Sequence, residues 1–189
     1  GGDPTLDSND LGDLAAGLKA RGIQKVRGSF RVWDGALPYV ERMAREKATS
    51  IASMHPETWV LGSDTCIAWH DAILGKPAGK ADAVAMLMRL SGQTHQVLTS
   101  VCLVKGCGEQ VASHLTTISA NVTLAPITER QANAYWDTGE PADKAGSYAI
   151  QGIGGAFVAH CEGSYTGIVG LPLVETTALL TQVGVVHEC

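Results

Sequence analysis

Apolar residues recur with helical spacing at five places along the chain. Leu11, Leu14, Ala15 and Leu18 follow an i, i+3, i+4, i+7 pattern that predicts a helix closed by Gly22, with Ser8, Asn9 or Asp10 as its cap. A second helix is predicted from near Pro38, a good first-turn residue, with Val40, Met43, Ala44, Ala48 and Ile51 as its stripe. A third runs from about Gly79 to Ser91 on Ala83, Met86, Leu87 and Leu90, and Gly92 ends it. Thr128-Glu129-Arg130-Gln131 reads as a capping box, so a fourth helix extends to about Asp137. Pro172 opens a last one that reaches about Val183.

Between these, shorter apolar runs read as strands: Val26, Phe30 and Val32; Trp59–Leu61; Cys66–Trp69; Ala156–His160; and Tyr165–Val169. Val97–Val104 and Val111–Val122 flank Gly106-Cys107-Gly108-Glu109, a hairpin signal. Residues 139–155 are rich in glycine and polar side chains and read as a long functional loop. Strands alternating with helices, with hairpins among them, predict an α/β or α+β fold with a mixed sheet.

With 189 residues the chain suffices for one domain with a real core, and 45% apolar against 17% charged residues makes it globular. The net charge of −5 argues against a generic nucleic-acid coat, so any polyanion must meet a local cluster of cations. Five cysteines without a Cys-x-x-Cys pair point to a reducing compartment and no disulfide framework. Cys66, Cys102 and Cys161 lie in apolar, strand-like surroundings. The N-terminus shows no secretory pattern, and no apolar run approaches the roughly 18 residues of a membrane span. A soluble, cytoplasmic protein is the expectation, with no nucleic-acid and no membrane partner.

Within that frame a few polar residues stand out. Asp64 follows an apolar run and two small residues, Gly62 and Ser63. A carboxylate at a strand end can bind a hard divalent cation or position a water, or it can simply cap a turn. Lys76, between Gly75 and Pro77, can pin a phosphate as a point charge or be an ordinary surface lysine. Lys47 falls on the inward stripe of its helix, four residues after Met43, where a cation is costly without an anionic partner unless it snorkels past the stripe edge. Gln151-Gly152-Ile153-Gly154-Gly155 suggests a backbone-rich binding loop carrying one amide side chain, preceded by Asp143-Lys144. The histidines at 55, 70, 95, 114, 160 and 187 have no metal-ligand spacing and read as structural or exposed. One or two carboxylates, several lysines, a glutamine and a glycine loop suit hydrolysis of a phosphoanhydride with a divalent cation.

Several motifs in order sharpen this. Tyr39-Val40-Glu41-Arg42-Met43-Ala44-Arg45-Glu46-Lys47-Ala48, Gly62-Ser63-Asp64-Thr65 and Leu74-Gly75-Lys76-Pro77 come first. Leu90-Ser91-Gly92-Gln93-Thr94-His95-Gln96-Val97 and Asp143-Lys144-Ala145-Gly146-Ser147-Tyr148-Ala149-Ile150-Gln151-Gly152 follow, then Gly163-Ser164-Tyr165 and Val169-Gly170-Leu171-Pro172-Leu173-Val174-Glu175-Thr176. Over residues 38–183 the chain resembles the Maf family of nucleoside triphosphate pyrophosphatases. The resemblance implies a fold like that of the inosine-triphosphate pyrophosphatases, a mixed sheet with a cleft between two lobes, in a single domain over 1–189. It implies cleavage between the α- and β-phosphates with Mg²⁺ or Mn²⁺, and a homodimer. Asp64 matches the family's catalytic acidic residue, as base or metal ligand. Lys76 and Gln151 match further catalytic positions, and Lys47 and Thr65 match substrate-binding ones. The pairs Asp64-Thr65 and Thr94-His95 resemble the branch acting on dTTP and UTP.

The first 37 residues depart from the family. Its opening Ser-x-Ser-x-x-Arg motif brings serines and arginines to a helix start that binds phosphate. Ser8 matches the first serine, as a substrate-binding residue, but Asp7, Asp10 and Asp13 stand where arginine is expected. Those carboxylates cap a helix well and repel a triphosphate. Two readings follow: a pyrophosphatase, or a division-related nucleotide-binding regulator that has lost turnover.

Overall fold

The computed structural model describes residues 35–70, 72–107 and 110–186. The predicted first helix, the strand near Val26–Val32, and Ser8 lie outside the described residues.

Helix α1 (Ala36–Ala52) carries Pro38 in its first turn, where a missing N–H costs nothing. Strand β1 (Val60–Trp69) turns through His70, at φ 51°, toward the short β2 (Ala72–Leu74). Helix α2 (Lys80–Leu90) buries the stripe expected of it, Ala83, Met86, Leu87 and Leu90. The long strands β3 (Thr94–Cys107) and β4 (Gln110–Leu124) form the anticipated hairpin. Helix α3 (Glu129–Trp136) starts with the capping box read from the sequence, Thr128 and Gln131 bonding reciprocally. Three short 3₁₀ turns, Glu140–Asp143, Ala145–Ser147 and Ile153–Phe157, occupy the long loop. Strand β5 (Val158–Glu162) and helices α4 (Tyr165–Val169) and α5 (Leu173–Gln182) follow.

The sheet order is β2-β1-β3-β4-β5. The α/β class holds, and all four pairings among the described residues are antiparallel, where a mixed sheet is the expectation. β1–β2 and β3–β4 are consecutive antiparallel pairs, whereas β1–β3 and β4–β5 are joined by long connections carrying α2 and α3, which here return the chain antiparallel.

Alternation along the strands sorts the core into two faces. Cys66, Ala68, Leu98, Cys102 and Val104 face α1 and meet its row of Ala36, Val40, Ala44, Ala48 and Ala52. Ile67, Val97, Val101 and Leu103 point the other way, toward α2, α3 and α5. The helix row is nearly all alanine, so α1 lies very close to the sheet. Gly62 makes that approach possible: a Cβ there would collide with the Ala44 carbonyl oxygen and lie 2.7 Å from the Ala48 nitrogen.

Three expectations need correction. The runs at 59–61 and 66–69 belong to one strand, because β1 pairs with β3 without interruption from Val60↔Val104 to Ala68↔Gln96. Asp64 is therefore mid-strand, not at a strand end. Tyr165–Val169 is a helical turn: the Ser164 hydroxyl accepts from Gly167 N–H at 3.1 Å, and Gly170 ends the turn at φ 125°. Its β-branched residues suggested a strand, and the local cap overrides them. Cys161 is exposed, on a strand that is at the sheet edge among the described residues, while Cys66 and Cys102 are buried. No helix among the described residues is long and apolar enough to cross a membrane.

Candidate active site

Strand β2 pairs with β1 only over Ile67–Trp69. From Val60 to Cys66 the outer edge of β1 has no strand partner among the described residues. A cavity of about 440 Å³ opens along that edge, a volume suited to a small ligand. Lys47, Asp64, Thr65, Lys76 and Gln151 all line it. The structure thus brings together every candidate residue that lies within the described segments.

Helix α1 and strand β1 deliver the first pair. Because Gly62 lets the helix settle on the strand, Lys47 Nζ reaches Asp64 Oδ1 at 2.6 Å and the Ser63 carbonyl oxygen at 3.1 Å. The Asp64 carboxylate is 16% exposed and the Lys47 side chain 57%. Lys47 is therefore not inward: it flanks the alanine row, and its stem leads the ammonium to the cavity. That position resolves the problem of an inward cation, because Asp64 is the anionic partner.

Thr65 points to the opposite face of β1. Thr99, its neighbour on β3, donates its one hydroxyl proton to the Gly167 carbonyl at 2.8 Å. In the 2.9 Å contact between Thr65 and Thr99, Thr65 must then be the donor. What its hydroxyl offers the cavity is lone pairs only.

Lys76 stands in the turn after β2. The Gly75 carbonyl accepts from Gly146 N–H at 3.0 Å, which ties this turn to the long loop. Asp143 and Lys144 line the same cavity and pair at 2.7 Å. The hydrogen bond from Lys144, aided by the Lys144 and Lys76 charges, holds the Asp143 carboxyl below its ordinary range.

Gln151 sits at the tip of the glycine loop, whose N–H groups the sequence suggested for ligand binding. Two of them are already used. Glu140 accepts from Ile153 N–H at 2.8 Å and Gly154 N–H at 2.9 Å, and from the Tyr135 hydroxyl at 2.6 Å. Sequence reasoning missed Glu140 and Tyr135, because a carboxylate in a polar loop and a tyrosine on a helix stripe carry no pattern that links them. Desolvation works to raise the Glu140 pKa, but these hydrogen bonds and the Lys144 charge together hold it below its usual value.

Cys66, next along β1, is no nucleophile. Burial, reinforced by the Asp64 charge, pushes its thiol up to about 12. No cluster of three or more histidine, cysteine or acidic side chains able to hold a metal occurs among the described residues.

A family model described as Maf-like protein matches residues 24–183. The chain belongs to the Maf family. The Maf match starts upstream of the motifs read from the sequence, which begin at Tyr39. A dTTP/UTP pyrophosphatase of Pseudoalteromonas atlantica is 48% identical over 155 residues, 80% of this chain and 79% of that protein. One of Hahella chejuensis is 49% identical over 160 residues, 83% and 78% of the two chains. One of Pseudoalteromonas translucida is 48% identical over 170 residues, 86% and 88%.

Proposed function

We propose that this Maf protein is a nucleoside triphosphate pyrophosphatase that hydrolyses dTTP- and UTP-type nucleotides to the monophosphate and pyrophosphate. The observation that carries the reading is the convergence of Asp64, Lys47, Lys76 and Gln151 on one cavity. The pyrophosphatase names of relatives nearly half identical to it support the same reading.

The chemistry assigns each residue a part. Lys47 and Lys76 bind phosphate oxygens as point charges. Asp64 accepts the proton of the attacking water as the α–β phosphoanhydride bond breaks, and pyrophosphate leaves with the bonding electron pair. With substrate bound, Lys47 exchanges part of its contact with Asp64 for a phosphate oxygen, which frees the carboxylate for the water. Gln151 orients the water or a phosphate oxygen through its amide. Thr65, restricted to accepting, takes a hydrogen bond from a substrate N–H or O–H. The imide N–H shared by thymine and uracil is a donor of that kind.

A divalent cation fits this site in one way. Asp64 and Asp143 are the carboxylates beside the cavity, and Asp143 is engaged by Lys144. Such a donor set suits Mg²⁺ or Mn²⁺ held by Asp64, water and the substrate's own phosphates, rather than a cage built by protein alone. When bound, the cation neutralises charge on the phosphates. A single domain, a homodimer and a cytoplasmic location belong to the same proposal. The alternative of a regulator without turnover is less favoured, since the acidic residue, both lysines and the glutamine share the cavity.

A pyrophosphate-release assay on a nucleotide panel with Mg²⁺ or Mn²⁺ tests this. Release from dTTP and UTP, abolished in Asp64→Asn with the fold retained, is the expected result. Nucleotide binding without release above background for any nucleotide would instead make the protein a regulator.

A further inference from the structure

Gln151 is exposed and has no hydrogen-bond partner of its own to set its direction among the interactions described. Its backbone is held on both sides instead. Two residues before it, Ala149 N–H donates to the Tyr135 hydroxyl at 3.1 Å. Two and three residues after it, Ile153 and Gly154 N–H donate to Glu140. The Tyr135 hydroxyl in turn donates to Glu140 Oε1. One carboxylate and one phenol therefore grip the loop at both feet, and Gln151 stands between them.

The packing is as tight as the bonding. A Cβ on Gly152 would run into the Glu140 carboxylate, with Cδ 2.5 Å and Oε1 2.6 Å away. A Cβ on Gly154 would run into the Tyr135 hydroxyl. Only glycine at these two positions lets the loop close on the clamp.

We propose that Glu140 is a positioning residue for the reaction: with Tyr135 it fixes the backbone on both sides of Gln151 and so aims the Gln151 amide into the cavity. This rests on the reading of Gln151 as a group that touches substrate. Glu140 itself faces the loop and is absent from the cavity lining. A rival role is simple capping of the 3₁₀ turn Ile153–Phe157, which would stabilise the fold without bearing on turnover.

A double-mutant cycle separates the two roles. Pyrophosphate release is measured for the wild type, Glu140→Gln, Gln151→Ala and the double variant. Glu140→Gln keeps the shape but sets an amide NH₂ against donors. It is expected to lower kcat by about 10²-fold, as a misplaced active-site group does, with KM changed far less. In the Gln151→Ala background the same substitution is expected to cost no more than about threefold. Equal losses in both backgrounds would overturn the proposal.

Tyr135→Phe, which removes the hydroxyl that donates to Glu140 and accepts from Ala149 N–H but leaves the ring packing and the Glu140 contacts to Ile153 and Gly154, serves as a second variant should Glu140→Gln fold poorly. Its loss should likewise vanish without Gln151. Amide hydrogen exchange reads the clamp without any turnover. Ile153 and Gly154 should be protected in the wild type and released in Glu140→Gln. Fast exchange in the wild type, or unchanged protection in the variant, overturns the clamp. A wild type that binds nucleotide yet releases no pyrophosphate refutes the pyrophosphatase reading instead, and the exchange result still decides the clamp.

Discussion

Acid should loosen the wall of the cavity through one histidine. His95, on β3, is only 3% exposed, and its Nε2 lies 2.7 Å from the hydroxyl of Tyr148, a cavity-lining residue. Its Nδ1 has no hydrogen-bond partner. Burial lowers its pKa from the ordinary 6.5 to about 4. The folded protein therefore keeps the ring neutral, while the unfolded chain takes up a proton as soon as the pH drops below 6.5. Between 6.5 and about 4 the unfolded state binds more protons, so stability falls as the pH falls. Above 6.5 both states are unprotonated at this site and stability is intact. By about pH 4 the loss is complete. At ~1.4 kcal/mol per pH unit, that window is worth about 3 kcal/mol. This is a large share of the roughly 5–15 kcal/mol that holds a domain folded. The assay is urea unfolding of the wild type and His95→Gln at pH values from 7.5 to 4.5. Glutamine keeps a polar group within reach of Tyr148 but cannot titrate. The wild type should lose up to about 3 kcal/mol more than the variant across the range. Parallel pH profiles, or an NMR midpoint for His95 near 6.5, would refute the argument.

Other substitutions probe the site from different directions. Lys47→Met should cost under about 1 kcal/mol of stability, because its partnership with Asp64 is more than half exposed on the lysine side. If Lys47 binds phosphate, the same change should raise KM for the triphosphate at least about tenfold, and an unchanged KM would remove it from the site. Gly62→Ala drives a methyl group into the α1 backbone and should destabilise by about 2 kcal/mol or more, read as a lowered Tm. Gly152→Ala should spare most of the stability yet displace the Glu140 carboxylate, lowering kcat; full activity in that variant would mean that the loop has slack. Thr65→Val removes the acceptor while keeping the shape, so kcat/KM for UTP should fall by about tenfold or more, with Thr65→Ser recovering most of it.

Local signals in the chain determine most of the helices. The stripe of α2 and the capping box of α3 are legible because each is read from residues three or four apart, whose contacts the helix itself supplies. The β3–β4 hairpin is legible for a similar reason, two apolar runs around a glycine-rich turn. The candidate residues Asp64, Lys47, Lys76 and Gln151 stand out by residue type and neighbours, and their motif order names the family.

Tertiary structure decides what those residues can do together. Asp64 reads as a strand-end or turn residue until β3 pairs with β1 from Val60 to Ala68 and leaves the opposite edge beside Asp64 without a strand partner among the described residues. Lys47 reads as an inward cation until Gly62 brings the alanine row of α1 down on the strand and sets the ammonium beside the carboxylate. The glycine loop reads as a set of free N–H groups until Glu140, distant from any pattern, claims two of them. The physical reason is common to all three. Helices and hairpins arise from near neighbours, whereas a strand's free edge, the reach of a lysine and the partner of a buried amide depend on which distant segments come to lie against them.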